Sequence, residues 1–378
     1  MPRLTQTTTP KQTVEFVVSV PLDLMNALYF IHLAADAEGI DGWPKQVRTE
    51  MDPALLSETD FLYTFPKGQP GVMGTMGDRL FAHRETWQDV DSLVRFVRQL
   101  PLGIGEWPER PGIQGLAFCS IHSLFDCGDL DISSLEDVRG ALRDILQKEG
   151  LNDAAVLAVY DRPEELRERM ARLIERFYEE HYRHDLPQRL PCMERSVAAH
   201  RGSSEPDVIQ LARKLTGRQT SCLEDVCPGP YDELIFAPSL DMGPYTSCAE
   251  VGKIHGLFYP CESEYADGVP QEEAEQTRRM ARVYKALSDE QRLRILHLLR
   301  DGEMYAQEIV ERTGLNQSVI SRHLTFMSAV GLVRSRRQNN MKFFSINPSV
   351  SEELRRALEL FVPGSAEAAG TPRQGGGS

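Results

Sequence analysis

Residues 281–346 read ARVYKALSDEQRLRILHLLRDGEMYAQEIVERTGLNQSVISRHLTFMSAVGLVRSRRQNNMKFFSI, and this stretch decides the fold of the C-terminal part of the chain. Ser288 followed by Gln291 has the spacing of a capping box, which predicts the start of an apolar helix. Gly314 suits the left-handed residue that closes a second helix, and a third helical pattern follows at once. Helices in this order, with so short a turn between the last two, predict a helix-turn-helix.

The third helix, at residues 316–330, separates packing side chains from polar ones at about 100° per residue. Its polar half lacks the Glu and Lys of an ordinary solvated face, and its short or forked side chains suit base edges and phosphates in a DNA major groove. Asn316 is placed to cap this helix, whose N-terminal amides favour a phosphate. The apolar half holds Val319, Ile320, Leu324, Phe326, Met327 and Val330, and the polar half holds Gln317, Ser318, Ser321, Arg322, Thr325 and Ser328.

A two-stranded hairpin is predicted after this helix, between residues 332 and 346. Asn339 and Asn340 form a polar turn that tolerates positive φ. The cations on both sides of the turn would reach a phosphate backbone or a minor groove. These cations are Arg334, Arg336, Arg337 and Lys342. The whole pattern therefore predicts a winged helix-turn-helix domain.

Three motifs in this region, ALSD at 286–289, RLRIL at 292–296 and QSVISRHL at 317–324, resemble the signature of the ArsR family of bacterial repressors. The resemblance covers residues 276–362. It implies a winged-helix homodimer that binds operator DNA and releases it when an effector binds. The positions that it carries over as recognition-helix contacts are Gln317, Ser318, Ser321 and Arg322.

Two histidines of the same region, His297 and His323, fall on or beside apolar faces, so packed side chains are the expected interpretation. His323 also belongs to the family motif, and it is therefore a candidate for a contact with the DNA backbone. The complete set of predicted DNA-binding residues is Asn316, Gln317, Ser318, Ser321, Arg322, His323, Thr325, Arg334, Arg336, Arg337, Asn339, Asn340 and Lys342.

The common metal sites of ArsR regulators are missing from the corresponding helices. Residues 304–310 contain no Cys and residues 350–361 contain no His, although zinc and soft metals need thiolate or imidazole ligands at close spacing. Elsewhere, two pairs are candidates for a metal, but each lacks further fixed ligands. A polar helix end and loop thiols are the preferred interpretations of these pairs, which are His181 with His184 and Cys222 with Cys227.

The net charge of −14 is distributed unevenly along the chain. Residues 273–362 hold 15 Lys and Arg against 11 Asp and Glu, whereas residues 1–272 carry −18. DNA would repel so acidic a body, so we expect it to point away from the duplex and to serve in sensing or dimerisation. The expected domains are a disordered tail at 1–13, an acidic, mainly helical domain at 14–262, a linker at 263–272, the winged helix at 273–362 and a disordered tail at 363–378.

The expected fold class is mostly α (α+β), a helical N-terminal domain with a small sheet followed by the winged helix. Strands are predicted at 13–20, 233–237 and 253–259, with pairing between them, and the stretch 66–77 is predicted as a loop. This body also resembles an uncharacterised domain found ahead of some ArsR-type winged helices, and that resemblance implies no ligand. Its aromatic residues could line a pocket for a flat apolar effector, but an ordinary core is the preferred interpretation. These residues are Phe16, Tyr29, Phe30, Trp43, Phe61, Tyr63, Phe65, Trp87, Phe96 and Trp107.

Seven cysteines without a charged and apolar leader favour reduced thiols in a cytoplasm, and no stretch is apolar enough to predict a membrane span. No phosphate loop, catalytic triad or nucleophile elbow is present. The sequence therefore predicts a cytoplasmic homodimeric regulator, a repressor whose partners are operator DNA and a small-molecule effector or cofactor of unknown identity. The alternatives are an enzyme with an N-terminal catalytic or cofactor-binding domain, or an interaction module whose winged helix binds protein.

Overall fold

The structure, a computed structural model, describes residues 13–65, 69–103, 105–106, 110–122, 161–201, 210–212, 215, 231–261, 271–338, 341–349 and 354–355. The chain divides into two compact units, Met1–Glu264 and Tyr265–Ser378. Several sequence predictions fall outside the described residues. They concern Cys222, Cys227, Asn339, Asn340, both tails and nearly all of the linker.

Helices form most of the described N-terminal unit. Ser19, Asp52 and Asp89 start three of them, because each side chain accepts a hydrogen bond from the backbone N–H three residues further on. A single π-helical turn, Tyr178–Tyr182, continues one helix into the next. The helices are α1 Val20–Leu33, α2 Trp43–Glu50, α3 Pro53–Tyr63, α4 Val72–Arg79, α5 Val90–Gln99, α6 Ile113–His122, α7 Pro163–Phe177 and α8 Arg183–His200.

A four-stranded sheet packs against these helices in the order β1-β6-β8-β7. The first three strands are parallel and the last pair is antiparallel, which confirms the predicted pairing of the strands. The two central strands are almost continuously apolar and buried, as parallel strands covered on both faces must be. The bounds are β1 Thr13–Phe16, β6 Glu233–Ser239, β7 Ser247–Val251 and β8 Ile254–Pro260, and β2 Thr64–Phe65, β3 Gln69–Pro70, β4 Gly105–Glu106 and β5 Arg110–Pro111 form two short hairpins.

Two N-terminal predictions were wrong in detail. The predicted loop at 66–77 contains most of α4, whose three glycines in and before the helix lower its intrinsic helix propensity. One of them, Gly71, packs so closely that an added Cβ would lie 2.4 Å from the carbonyl oxygen of Leu62. The strand predicted at 13–20 ends at Phe16, because Ser19 caps helix α1, which begins at Val20.

The C-terminal unit has the predicted helix-turn-helix and hairpin, so the α+β fold class is confirmed. Gly314 closes α11 at φ 70°, and the sheet order is β10-β11-β9, with the short third strand not predicted. The cap of α10 is Asp289 rather than Ser288, because Asp289 Oδ1 accepts from Arg292 N at 3.0 Å. The elements are α9 Gln271–Leu287, α10 Glu290–Leu299, β9 Met304–Tyr305, α11 Ala306–Thr313, α12 Gln317–Ala329, β10 Val333–Gln338 and β11 Met341–Ile346.

Within the described residues, no helix has the length and apolar character needed to cross a lipid bilayer.

Candidate nucleic-acid interface

Helix α12 is held in place by its apolar side. Ile320, Leu324 and Met327 follow the i, i+4, i+7 spacing of one helix face, and each is at most 1% exposed. Phe326 is also fully buried, and the guanidinium of Arg292 from α10 lies 5.0 Å from the centre of its ring. The orientation of the opposite side of α12 is therefore fixed by the core.

The opposite side of α12 is open to solvent, and its residues form what we term the recognition face. It carries one cation and no carboxylate, and α12 has no acidic residue at all. These charges favour an anionic partner, and the positive end of the helix dipole favours it further. Ser328, which the sequence assigned to this side, is half-buried rather than exposed and is therefore not included. The exposed members of the recognition face are Asn316, Gln317, Ser318, Ser321, Arg322 and Thr325.

Asn316 occupies the predicted N-cap position, but its side chain accepts no capping hydrogen bond. Its backbone carbonyl instead accepts from Val319 N at 3.0 Å and Ile320 N at 3.1 Å. The Asn316 side chain therefore does not occupy the first-turn amides of Gln317 and Ser318, which can donate to a phosphate.

His323 lies on the packed side of α12, not on the recognition face. It is only 3% exposed, and its Nε2 lies 2.9 Å from Gln291 Oε1 on α10. A DNA-backbone contact by His323 was therefore a wrong prediction, because the ring is sealed against a neighbouring helix. The packed interpretation holds for His323 but not for His297, which is exposed at the end of α10.

The wing presents exposed cations that are also held by neighbours. Arg336 pairs with Glu303, with Nε 2.7 Å from Oε2, and its guanidinium lies 5.0 Å from the centre of the Phe343 ring. The hydrogen bond from Arg336 holds the pKa of the Glu303 carboxyl below its usual range. Arg334 donates from Nε to Ser345 Oγ at 3.0 Å. Lys342 is exposed, whereas the side chain of Arg337 lies outside the described part of the chain.

Sequence reasoning missed two residues that shape this unit. Glu303 precedes β9 and neutralises a wing arginine, and only the folded hairpin brings the two together. Arg292 belongs to the RLRIL motif but is structural, since it is 3% exposed and donates from Nε to the carbonyl of Ala286 at 2.8 Å. Arg292 on α10 thus hydrogen-bonds to the end of α9, and helical periodicity does not predict this contact.

The histidine candidates for a metal, His181 and His184, belong to no group of metal ligands within the described residues. Among the residues that the structure describes, no group of three or more His, Cys, Asp or Glu could hold a metal ion. His181 is half-buried in the π-helical turn, with its ring centre 6.1 Å from that of Phe177, and His184 is exposed on α8.

Residues 289–335 match the family model described as bacterial regulatory protein, ArsR family. The chain belongs to this family of transcriptional regulators, with which its winged helix-turn-helix agrees. It is 32% identical over 99 residues to the transcriptional activator HlyU of Vibrio cholerae, a match that covers 25% of this chain and 89% of HlyU. It is 32% identical over 74 residues to the transcriptional repressor SdpR of Bacillus subtilis, covering 20% of this chain and 82% of SdpR.

Solved structures are similar over a comparable share of the chain. A homodimeric winged helix-turn-helix DNA-binding domain, Mb0332 of Mycobacterium bovis, is 30% identical and covers 25% of this chain and 88% of that one, with a TM-score of 0.22. HlyU of Vibrio cholerae is 26% identical and covers 24% of this chain and 97% of that one, with a TM-score of 0.20. The relatives named here thus cover about a quarter of the chain.

Proposed function

We propose that this chain is a sequence-specific regulator that inserts α12 into the major groove of operator DNA. The observation that carries the proposal is the recognition face, which is polar, exposed and free of carboxylates on a helix whose other side is buried. A major groove about 12 Å wide admits a single α-helix. Membership of a family of DNA-binding regulators supports the same function.

Each side chain of the recognition face has a distinct role in this proposal. The forked guanidinium of Arg322 forms no ion pair within the described residues and suits the O6 and N7 acceptors of a guanine. Gln317 suits the paired donor and acceptor of an adenine. Asn316, Ser318, Ser321 and Thr325 complete the set with hydrogen bonds to bases or phosphates.

The wing contributes affinity in this proposal rather than sequence preference. Arg334, Arg336 and Lys342 are exposed and would contact phosphates beside the site read by α12. Arg337, Asn339 and Asn340 belong to the same surface as a prediction from the sequence alone. Because Arg336 is paired with Glu303, it must exchange a carboxylate for a phosphate when DNA binds.

We also propose that the protein acts as a homodimeric repressor in the cytoplasm. A dimer would place two copies of α12 about 34 Å apart, one DNA turn, on a palindromic operator. The acidic N-terminal unit would bind an effector rather than catalyse a reaction, with a coupling to DNA binding of about 1–3 kcal/mol. SdpR, which is named as a repressor, supports this direction of control, whereas HlyU is named as an activator.

Fluorescence anisotropy of the full chain with DNA from upstream of its own gene tests the proposal. We expect tighter binding to this DNA than to a shuffled sequence, by about 10³-fold or more at physiological salt. Arg294→Ala, which removes an exposed cation from α10, is a matched control that should bind like the parent. Equal affinity for both sequences would contradict the proposed function.

A further inference from the structure

A cavity of about 220 Å³ lies within the N-terminal unit, lined by residues of α1, α3, α4, β7 and β8. Three aromatic side chains, those of Tyr29, Tyr63 and Phe258, line it together with the polar residues Asn26, Asp78, Ser247 and Cys248. Pockets for drug-sized ligands span about 300–1,000 Å³, so this cavity suits a smaller molecule. Of the aromatic residues considered from the sequence, Tyr29 and Tyr63 line this cavity, whereas Phe30 is buried in the core.

Asp78 is the one carboxylate among the residues that line this cavity. It lies in the last turn of α4, where the helix dipole is negative and a carboxylate is unfavourable. No hydrogen bond or ion pair reaches this carboxylate from the described residues, and neighbouring Arg79 offsets its burial only in part. Burial raises the pKa of Asp78 to about 7. Within the part of the chain that the structure describes, neither helix stability nor a partner explains an acid at this position.

Contacts with neighbouring residues hold the aromatic side chains of the cavity in place. Tyr63 donates its hydroxyl to the carbonyl of Met25 at 3.1 Å, and its ring centre lies 6.0 Å from that of Tyr29. Phe258 is fixed by an edge contact with Phe81 at 5.0 Å. The negative faces of such rings attract a cation, and this attraction grows when the cation is desolvated.

Asn26 adds a second acceptor. Its Nδ2 donates to Ser239 Oγ at 2.8 Å, and no described residue donates to its Oδ1. Ser239 in turn donates to Asp23 Oδ1 at 2.5 Å, so the amide orientation is fixed by buried groups. Among the described residues, none donates to the carboxylate of Asp78 or to the Oδ1 of Asn26, so both can accept from a ligand. An anionic ligand would be repelled by Asp78.

We propose that this cavity binds a small organic cation, an ammonium group carried on an apolar body. The ammonium group pairs with Asp78, and the apolar body lies against Tyr29, Tyr63 and Phe258. This site goes beyond DNA binding and does not depend on it. Only its use as the effector site rests on the proposed function.

Isothermal titration of the full chain at about pH 8 tests the site with three ammonium ions, those of benzylamine, cyclohexylamine and butylamine, and with their neutral alcohols. We expect at least one ammonium ion to bind about tenfold more tightly than its alcohol. Asp78→Asn should abolish this preference. Gly77→Leu should weaken both ligands, since a Cβ at Gly77 meets open space on the helix that lines the cavity. Asp91→Asn, an exposed acid on α5, should leave the preference unchanged.

The Cys248 thiol provides a test that needs no known ligand. Peptide mass spectrometry would compare its modification by a cationic and an anionic methanethiosulfonate reagent of similar size. We expect the cationic reagent to modify Cys248 faster than the anionic one. The ratio of the two rates should fall several-fold in Asp78→Asn. If no ammonium ion is preferred over its alcohol and Asp78→Asn leaves the Cys248 ratio unchanged, the proposal is wrong. Neither measurement uses DNA, so a failure of operator binding would leave this result intact.

Discussion

The two units of the chain place their charged groups in opposite ways. In the C-terminal unit, Arg322 stands on an exposed helix face whose opposite side is apolar. In the N-terminal unit, Arg189 is 2% exposed and Asp23 is fully buried. An exposed polar face costs little to fold and is free to bind, whereas buried charges need an oppositely charged partner and hydrogen bonds to be tolerated. In the proposed function, polar residues thus serve recognition in the C-terminal unit, whereas the buried charges of the N-terminal unit hold its helices and sheet together.

The buried cluster of the N-terminal unit is centred on Asp23 of α1. Its Oδ2 accepts from the Tyr182 hydroxyl at 2.5 Å and from Arg189 Nε at 3.0 Å, and its Oδ1 accepts from Ser239 Oγ at 2.5 Å. Arg189 Nη1 also donates to Asp241 Oδ2 at 2.7 Å, and Asp241 has the unusual φ of 61°. Burial alone would lower the pKa of Arg189, but these carboxylates hold it above its usual value. The cluster joins α1, the π-helical turn, α8 and the end of β6.

The largest expected effect comes from breaking this cluster. Arg189→Met should destabilise the N-terminal unit by about 3–5 kcal/mol, because it leaves Asp23 buried without its cation. Urea unfolding followed by tryptophan fluorescence measures this, since Trp43, Trp87 and Trp107 all lie in that unit.

The control for Arg189→Met is Arg183→Met. It removes an exposed ion pair between Arg183 on α8 and Glu179 in the π-helical turn. Exposed pairs contribute little to stability, so this variant should unfold like the parent. Equal unfolding of both variants would mean that the buried cluster does not define the packing of the unit.

The second effect concerns Asp78 and depends on pH. Its folded pKa of about 7 exceeds the ordinary value of 3.8, so the folded protein holds a proton that the unfolded chain has lost. Stability should therefore fall as pH rises from about 4 to about 7, by at most about 4 kcal/mol. Asp78→Asn should unfold at a higher urea concentration than the parent at pH 8. Its stability should also depend less on pH between pH 5 and pH 8. A parent chain whose stability rises over this range and is matched by the variant would contradict the assignment.

A smaller effect is expected at the recognition face. Arg322→Ala should weaken operator binding by about 1–3 kcal/mol and relax the preference for one base pair in each half-site. Binding-site selection from randomised DNA measures both quantities. Unfolding of the N-terminal unit should not change, because Arg322 is exposed in the other unit. Unchanged selectivity in Arg322→Ala would show that Arg322 contacts no base.

The smallest effect is expected in the wing. Glu303→Gln should release Arg336 and strengthen binding to any DNA sequence by a few-fold. Arg336→Ala should weaken binding to all sequences and reduce the slope of affinity against salt by about one. Anisotropy titrations at several salt concentrations distinguish the two variants. A Glu303→Gln variant that binds more weakly than the parent would show that the ion pair supports the wing.

The C-terminal fold was predictable because its signals are local. The periodicity of α12 and the position of Gly314 lie within a few residues of what they determine, and even the wrong cap, Ser288 in place of Asp289, moved the helix start by one residue. The burial of His323 was harder, since it depends on Gln291 of another helix.

The N-terminal unit was less predictable because its determinants are distant in sequence. Asp23 and Ser239 are 216 residues apart, so no local pattern connects them. Asp78 lay at the edge of a stretch whose glycines predicted a loop. Only the folded chain brings Asp78 to a cavity beside Tyr29 and Phe258.

Dimethyl sulfate footprinting of the full chain on DNA from upstream of its own gene tests the central claim most directly, because this reagent methylates guanine N7 in the major groove. We predict protected guanines in two groups about 10 base pairs apart, with protection lost in Arg322→Ala and kept in Arg294→Ala. Protection that is absent in the parent, or that survives in Arg322→Ala, would contradict the claim that the exposed face of α12 reads DNA.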